Sequence, residues 1–165
     1  MADWAGIRAA LATQMGTASS VRESTSTSLS NVGMLPAVKV ERIESLDIND
    51  ARGGRGAGFE SRLANIVGKL LVTSSADTGR NQVKAEAVVE ELFVAARTGL
   101  RLGFGGIVED SWLESAELGT VDFGGTSYYG ADLRWVVEVV ESAYRTSSIT
   151  VSSGFSSGFS SGFGA

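Results

Sequence analysis

The chain has 165 residues, 43% hydrophobic and 20% charged, which is the composition of one soluble domain with a packed core. Asp and Glu number 19 against 14 Lys and Arg, a formal net charge of −5, and that balance argues against a dedicated nucleic-acid binder with a basic stripe. The absence of cysteine and histidine removes disulfides, thiol catalysis, thiolate metal sites and the commonest general base.

The opening MADWAGIRAALATQMG has neither the basic n-region nor the cleavage signature of a signal peptide. No run approaches the roughly 20 apolar residues of a membrane span. The expectation is synthesis in a cytoplasm, with no membrane partner. In the same segment Asp3 is placed to cap a helix, and Trp4, Ile7, Leu11 and Met15 recur at helical spacing up to Gly16. Residues 17–36 are rich in Ser and Thr and close on Pro36, the single proline; they read as a long surface arm.

AVKVERIESLDI (37–48) reads as a strand whose alternation slips near Arg42 and Ile43, the mark of a bulge. The Gly/Arg-rich NDARGGRGAGFE then leads into a longer strand over 60–74, where Ala64, Ile66, Gly68, Leu70 and Val72 share a face with Arg62. The two runs form an antiparallel pair with a prominent loop. In NQVKAEAVVEELFVAARTG, residues Ala85, Val88, Val89, Leu92, Ala95 and Ala96 fall within about 120° of arc and predict a helix lying close on a sheet, with Gly99 as its C-cap. A strand over 107–118 sets Val108, Asp110 and Trp112 against Ser111 and Leu113, and the turn GTVDFGGTS follows. The last strand opposes Leu133, Trp135, Val137 and Val139 to Asp132, Arg134, Val136, Glu138 and Val140. The order α-β-β-α-β-β predicts an α+β domain over 1–146: a four-stranded, mainly antiparallel sheet with two helices on one face. An extended Ser/Gly/Phe tail over 147–165 follows it.

No constellation carries catalysis. GGRGAG (Gly53–Gly58) precedes a strand and lacks a Gly-Lys-Ser/Thr ending, so it is a hairpin tip rather than a phosphate loop. Arg52, Arg55 and Arg62 give that tip a local positive charge for partner contacts. LDINDARGG opens like a calcium loop but has Ala51 and Arg52 where a ligand and a glycine are needed. Glu90 and Glu91 fall on the polar side of the second helix, and Glu109 and Asp110 point to opposite faces of a strand. Trp112, Trp135, Tyr128 and Tyr129 are core or interface aromatics before they are a ligand wall. No catalytic residue, metal or cofactor is expected.

Taken together, ADWAGIRAALA, FESRLANIVGKLLV, VKAEAVVEELFVAA, GFGGIVEDSWLESAELG and YYGADLRWVVEVV resemble, in this order, the tail terminator (tail-completion) proteins of long-tailed bacteriophages of the lambda type. The resemblance covers residues 1 to about 144; the arm and the tail depart from it. It implies a structural virion protein at the head-proximal end of the tail, forming a homo-oligomeric, sixfold ring that stops tube polymerisation. The implied partners are other copies of itself, the tail tube protein and a head-completion or connector protein, with genomic DNA passing through the lumen without specific binding. It implies no catalytic residues.

The three SSGF repeats space Phe155, Phe159 and Phe163 about 13 Å apart on one face of an extended chain, suited to pockets on a neighbouring subunit or ring. Two other readings stay open: a different head-tail connector or tail tube subunit, and a small-molecule-binding α/β module.

Overall fold

The computed structural model describes residues 3–27, 31–48, 59–74, 78–97 and 108–142. They form helix α1 (Trp4–Met15), a short strand β1 (Glu23–Thr25), strands β2 (Ala37–Ile48) and β3 (Phe59–Thr73), helix α2 (Thr78–Arg97), and strands β4 (Val108–Phe123) and β5 (Thr126–Ser142). The class is α+β. One mixed sheet runs in the order β1-β2-β3-β5-β4, with β1 parallel to β2 and every other pairing antiparallel. The sheet therefore has five strands, not the four expected. The additional one lies inside the Ser/Thr-rich arm, where Glu23, Ser24 and Thr25 align with Ala37, Val38 and Lys39.

The helices form where the sequence places them. Asp3 caps α1 by accepting a 3.0 Å hydrogen bond from the amide of Gly6. Ile7, Leu11 and Met15 are buried beneath it, as are all six apolar residues of the α2 stripe from Ala85 to Ala96. Both helices bury these residues in one core with Val38, Val40, Ile66, Leu70, Leu133 and Trp135, so they share one face of the sheet. Gly68 makes room for that core: a Cβ there would lie 2.2 Å from the carbonyl oxygen of Lys39 and 2.8 Å from the Trp135 ring.

Five register shifts interrupt the ladders, and four of them skip a glutamate. In β2 the irregularities fall at Glu41 and Glu44 rather than once near Arg42. In β4 they fall at Glu109 and Glu114. The shift at Glu109 corrects the simple alternation expected for β4, because it turns Ser111 and Leu113 toward the helices together with Val108. The Ser111 hydroxyl then donates to the carbonyl of Ala96 at 2.9 Å, tying β4 to the end of α2.

The last hairpin is longer than expected. Only Gly124 and Gly125 make its turn, both at positive φ (58° and 80°), the two-residue geometry that matches the twist of flanking strands. Residues 119–123 and 126–127 are strand. The hairpin also bends. In a flat sheet three strand spacings, about 14 Å, separate β2 from β4, yet the Phe123 ring centroid lies 5.9 Å from Lys39 Nζ. Gly119 and Gly130 face each other across β4 and β5 at the base of this bend. The two glycines are not equivalent: a Cβ on Gly130 would lie 1.8 Å from the carbonyl oxygen of Leu70, and one on Gly119 would meet nothing within 4 Å.

Gly130→Ala is therefore expected to cost about 3 kcal/mol, the upper range for overpacking. Gly119→Ala should change stability by less than about 0.5 kcal/mol. Urea denaturation of the two variants checks the contrast.

Candidate functional site

The face of the sheet away from the helices is where this fold puts its unusual polar groups. Strand alternation sends Lys39, between Val38 and Val40, to that face. It is 2% exposed, a position a lysine holds only when paired. Its partner is Glu23 of β1, whose Oε1 accepts from Lys39 Nζ, while the Phe123 ring of the bent hairpin lies over the ammonium group.

Glu23 also organises the return of the arm. Its Oε2 accepts from the amides of Gly33 at 2.7 Å and Met34 at 3.0 Å. A second glutamate does the same from the other side. Glu91 of α2 accepts from Ser20 through its amide at 2.8 Å and its hydroxyl at 2.6 Å, and from the Ser19 hydroxyl at 3.1 Å. Ser24 donates to the carbonyl of Ala12 at 2.6 Å, and Ala18 and Val21 are buried in the core. The arm is thus fastened along its described length. Glu91 is a clamp and not only a solvated surface group.

Both clamps are tuned as anions. The hydrogen bond from Lys39 holds the Glu23 carboxyl below its ordinary value of 4.5, with the Met34 and Gly33 amides adding to it against the opposing effect of burial. The Ser20 hydroxyl and amide lower the Glu91 carboxyl in the same way.

β1 ends at Thr25, and beyond it the outer side of β2 opens into a slot of about 640 Å³ lined by Arg8, Ser26, Thr27, Glu41, Arg42 and Phe123, among others. Arg8 reaches it from α1, donating through Nη1 to the carbonyl of Glu41 at 2.6 Å. Its Nε is buried and has no hydrogen-bond partner among the described residues. The Arg42 side chain is 67% exposed and only 3.9 Å from Glu41 at its closest.

A second, smaller groove of about 280 Å³ crosses the sheet over Glu41, Arg42, Lys69, Glu117, Asp132 and Arg134, among others. Lys69 pairs with Asp132 at 3.6 Å and Arg134 with Glu44 at 2.8 Å; pairs this exposed contribute at most about 1 kcal/mol each.

The aromatic residues do not gather. Trp135 is fully buried in the core and Tyr129 packs against it, whereas Trp112 and Tyr128 sit half-buried on the other face. Of the expected contact residues, Arg62 lies in β3, paired with Ile48 and Val139. Arg52, Arg55, Phe155, Phe159 and Phe163 lie outside the described residues, as do the Gly53–Gly58 loop and Gly99. Glu23, Lys39 and Arg8 were not singled out from sequence. The one available signal was a lysine in the middle of AVKV, at a position that alternation gives to a sheet face.

Among the described residues no three acidic side chains converge as a metal site, and no helix is long and apolar enough to cross a membrane. No family model matches the chain, and no curated protein matches it.

Two tests follow from the clamps. A carboxyl whose folded pKa is lowered stabilises the fold above its unfolded value and loses that contribution as pH falls through the folded one. Stability is therefore expected to drop from about pH 4.5 downward, with protection of the arm amides lost first in hydrogen exchange. Glu91→Gln should flatten part of that pH dependence. Lys39→Met should cost about 2 kcal/mol in urea denaturation, less than the 3–5 of a fully buried pair because the Glu23 side chain keeps 21% exposure.

Proposed function

We propose that this protein is a structural subunit of a phage tail, of the tail terminator type, acting as a ring of identical copies at the head-proximal end of the tail tube. The observation that carries the reading is the pair of open margins of its sheet. Among the described residues, no strand pairs with the outer side of β4 or with β2 beyond Lys39. These margins lie on opposite sides of one sheet and run in opposite directions. A neighbour in the same orientation therefore brings its β4 antiparallel to β2, the head-to-tail relation that closes into rings.

Three further points support the reading. The order of elements agrees with the resemblance in the sequence, with β1 added. The two lowered carboxyls fasten the arm, which suits a subunit that works by shape and contact. A net charge of −5 suits a lumen through which DNA slides without being held. The Ser/Gly/Phe tail, with Phe155, Phe159 and Phe163, and the loop with Arg52 and Arg55 are proposed as contacts to neighbouring subunits or to the axial partners.

The test is to add the purified chain to polymerising tail tube protein and measure tube lengths by electron microscopy. A terminator shortens and caps the tubes at substoichiometric amounts. Incorporation along the tube would favour a tube subunit, and no effect on length would contradict the proposal. Removing residues 147–165 is expected to weaken capping at least tenfold in the concentration required; unchanged capping would remove the tail from the interface.

A further inference from the structure

We infer that the slot at the margin of β2 is a binding site for a small organic monocarboxylate, held by the Arg8 guanidinium. The inference goes beyond the ring reading and does not depend on it.

Arg8 is the cation of the slot whose charge is not met. The sheet pairs its cations elsewhere: Lys39 with Glu23, Lys69 with Asp132 and Arg134 with Glu44. Arg42 has Glu41 at 3.9 Å. Arg8 forms no ion pair among the described residues. Its part-buried guanidinium donates through Nη1 to the Glu41 carbonyl at 2.6 Å, and its Nε is buried without an acceptor. A cation withdrawn from water without an anion beside it is unfavourable, so an anion that reaches it is held more firmly than at an exposed arginine.

Four segments of the chain supply the walls. Helix α1 gives Arg8, the arm gives Ser26 and Thr27, β2 gives Arg42, and the hairpin gives Phe123. The Ser26 hydroxyl makes no hydrogen bond among the described residues, and the Thr27 hydroxyl has only a 3.4 Å contact with that of Thr25. Both can donate to an oxyanion. The volume of about 640 Å³ falls in the range of small-molecule sites and exceeds what a bare ion fills. Phe123 adds an apolar wall, so the ligand carries an apolar body beside its charge.

The charge count selects a monoanion. Three cations line the slot, but Lys39 is bound to Glu23 and Arg42 has Glu41 close by, which leaves the charge of Arg8. Glu41 itself lines the slot and opposes a second negative charge on the ligand. A planar guanidinium matches a carboxylate through paired N–H donors. A ligand seated there joins α1, β2 and the hairpin to Ser26 and Thr27, a part of the arm that neither glutamate clamp touches.

The test is an NMR titration of the isotopically labelled full chain at constant ionic strength. The probe is sodium benzoate, with benzamide and inorganic phosphate as comparisons. The buried Nε–H of Arg8 gives a side-chain signal, assigned by its loss in Arg8→Lys. Benzoate should shift that signal and the Ser26 and Thr27 amides along one saturating curve, with a dissociation constant on the order of 1 mM. Benzamide, which has the same shape without the charge, and phosphate should each bind about tenfold more weakly. Read from the arm amides, Arg8→Lys should weaken benzoate about tenfold, the loss expected for a charge-assisted pair. Ser26→Ala should weaken it severalfold with an unchanged circular dichroism spectrum. Saturating benzoate should also slow hydrogen exchange at Ser26 and Thr27, because it binds the fastened arm. Absence of saturation up to about 50 mM benzoate, equal shifts with benzamide, tighter binding of phosphate, or unchanged affinity in Arg8→Lys would each overturn the inference. If Arg8→Lys does not fold, Ser26→Ala and the contrast between benzoate and benzamide decide it. None of these outcomes bears on tube capping, so the ring reading is judged separately.

Discussion

The pairing of Lys39 with Glu23 is the constraint on which the outer half of this fold depends. A lysine at 2% exposure on a sheet face is tolerable only with an anion beside it. The chain supplies that anion by bringing its arm back along β2, which places Glu23 beside Lys39. Once Glu23 is in place, the carboxylate has capacity left for the amides of Gly33 and Met34, which sets the path of the arm into Pro36. β1 is a three-residue strand, too short to be stable by ladder bonds alone. The ion pair and the Glu91 clamp hold it. The end of β1 in turn defines where the slot beside β2 begins, so the buried pair shapes that slot through the backbone it positions.

A second constraint comes from glycine. The bend of the β4–β5 hairpin brings Phe123 over the same ammonium group, and it passes through a row where Gly119 and Gly130 carry no side chain. The hairpin thereby covers the Lys39–Glu23 pair from above while β1 flanks it from the side. It also leaves the long outer margin of β4 uncovered among the described residues. One arrangement protects a buried charge pair and leaves a strand margin open, and the proposed assembly role needs both: a fastened arm on one margin and an available strand on the other.

Much of the layered core was legible in the sequence because its signals are local. The alanine-rich stripe of α2 and the alternation of β5 from Leu133 to Val139 each depend on neighbours a few residues away, and the structure follows them closely. The arm was not legible, since its anchors are long-range and polar. Glu91 meets Ser19 and Ser20 from more than 70 positions away, and a Ser/Thr-rich stretch gives no periodic sign that it will be tied down. β4 was read too short and with the wrong facing residues for a related reason. Its carboxylates and Gly119 are poor strand formers, and bulges at Glu109 and Glu114 disturb the alternation from which facing is read. The slot beside β2 joins Arg8, Ser26, Arg42 and Phe123 from four separate segments, a juxtaposition that exists only once the arm and the hairpin have folded over the sheet.

The proposed role rests on closure of this chain into a discrete ring through two margins of one sheet. Negative-stain imaging with native mass measurement of the purified full-length protein at high concentration tests it most directly. Single closed rings of uniform copy number are expected, with sixfold symmetry as the resemblance implies. Long stacked tubes formed by the protein alone would contradict it in favour of a tube subunit, and a strictly monomeric particle would contradict self-closure through these margins.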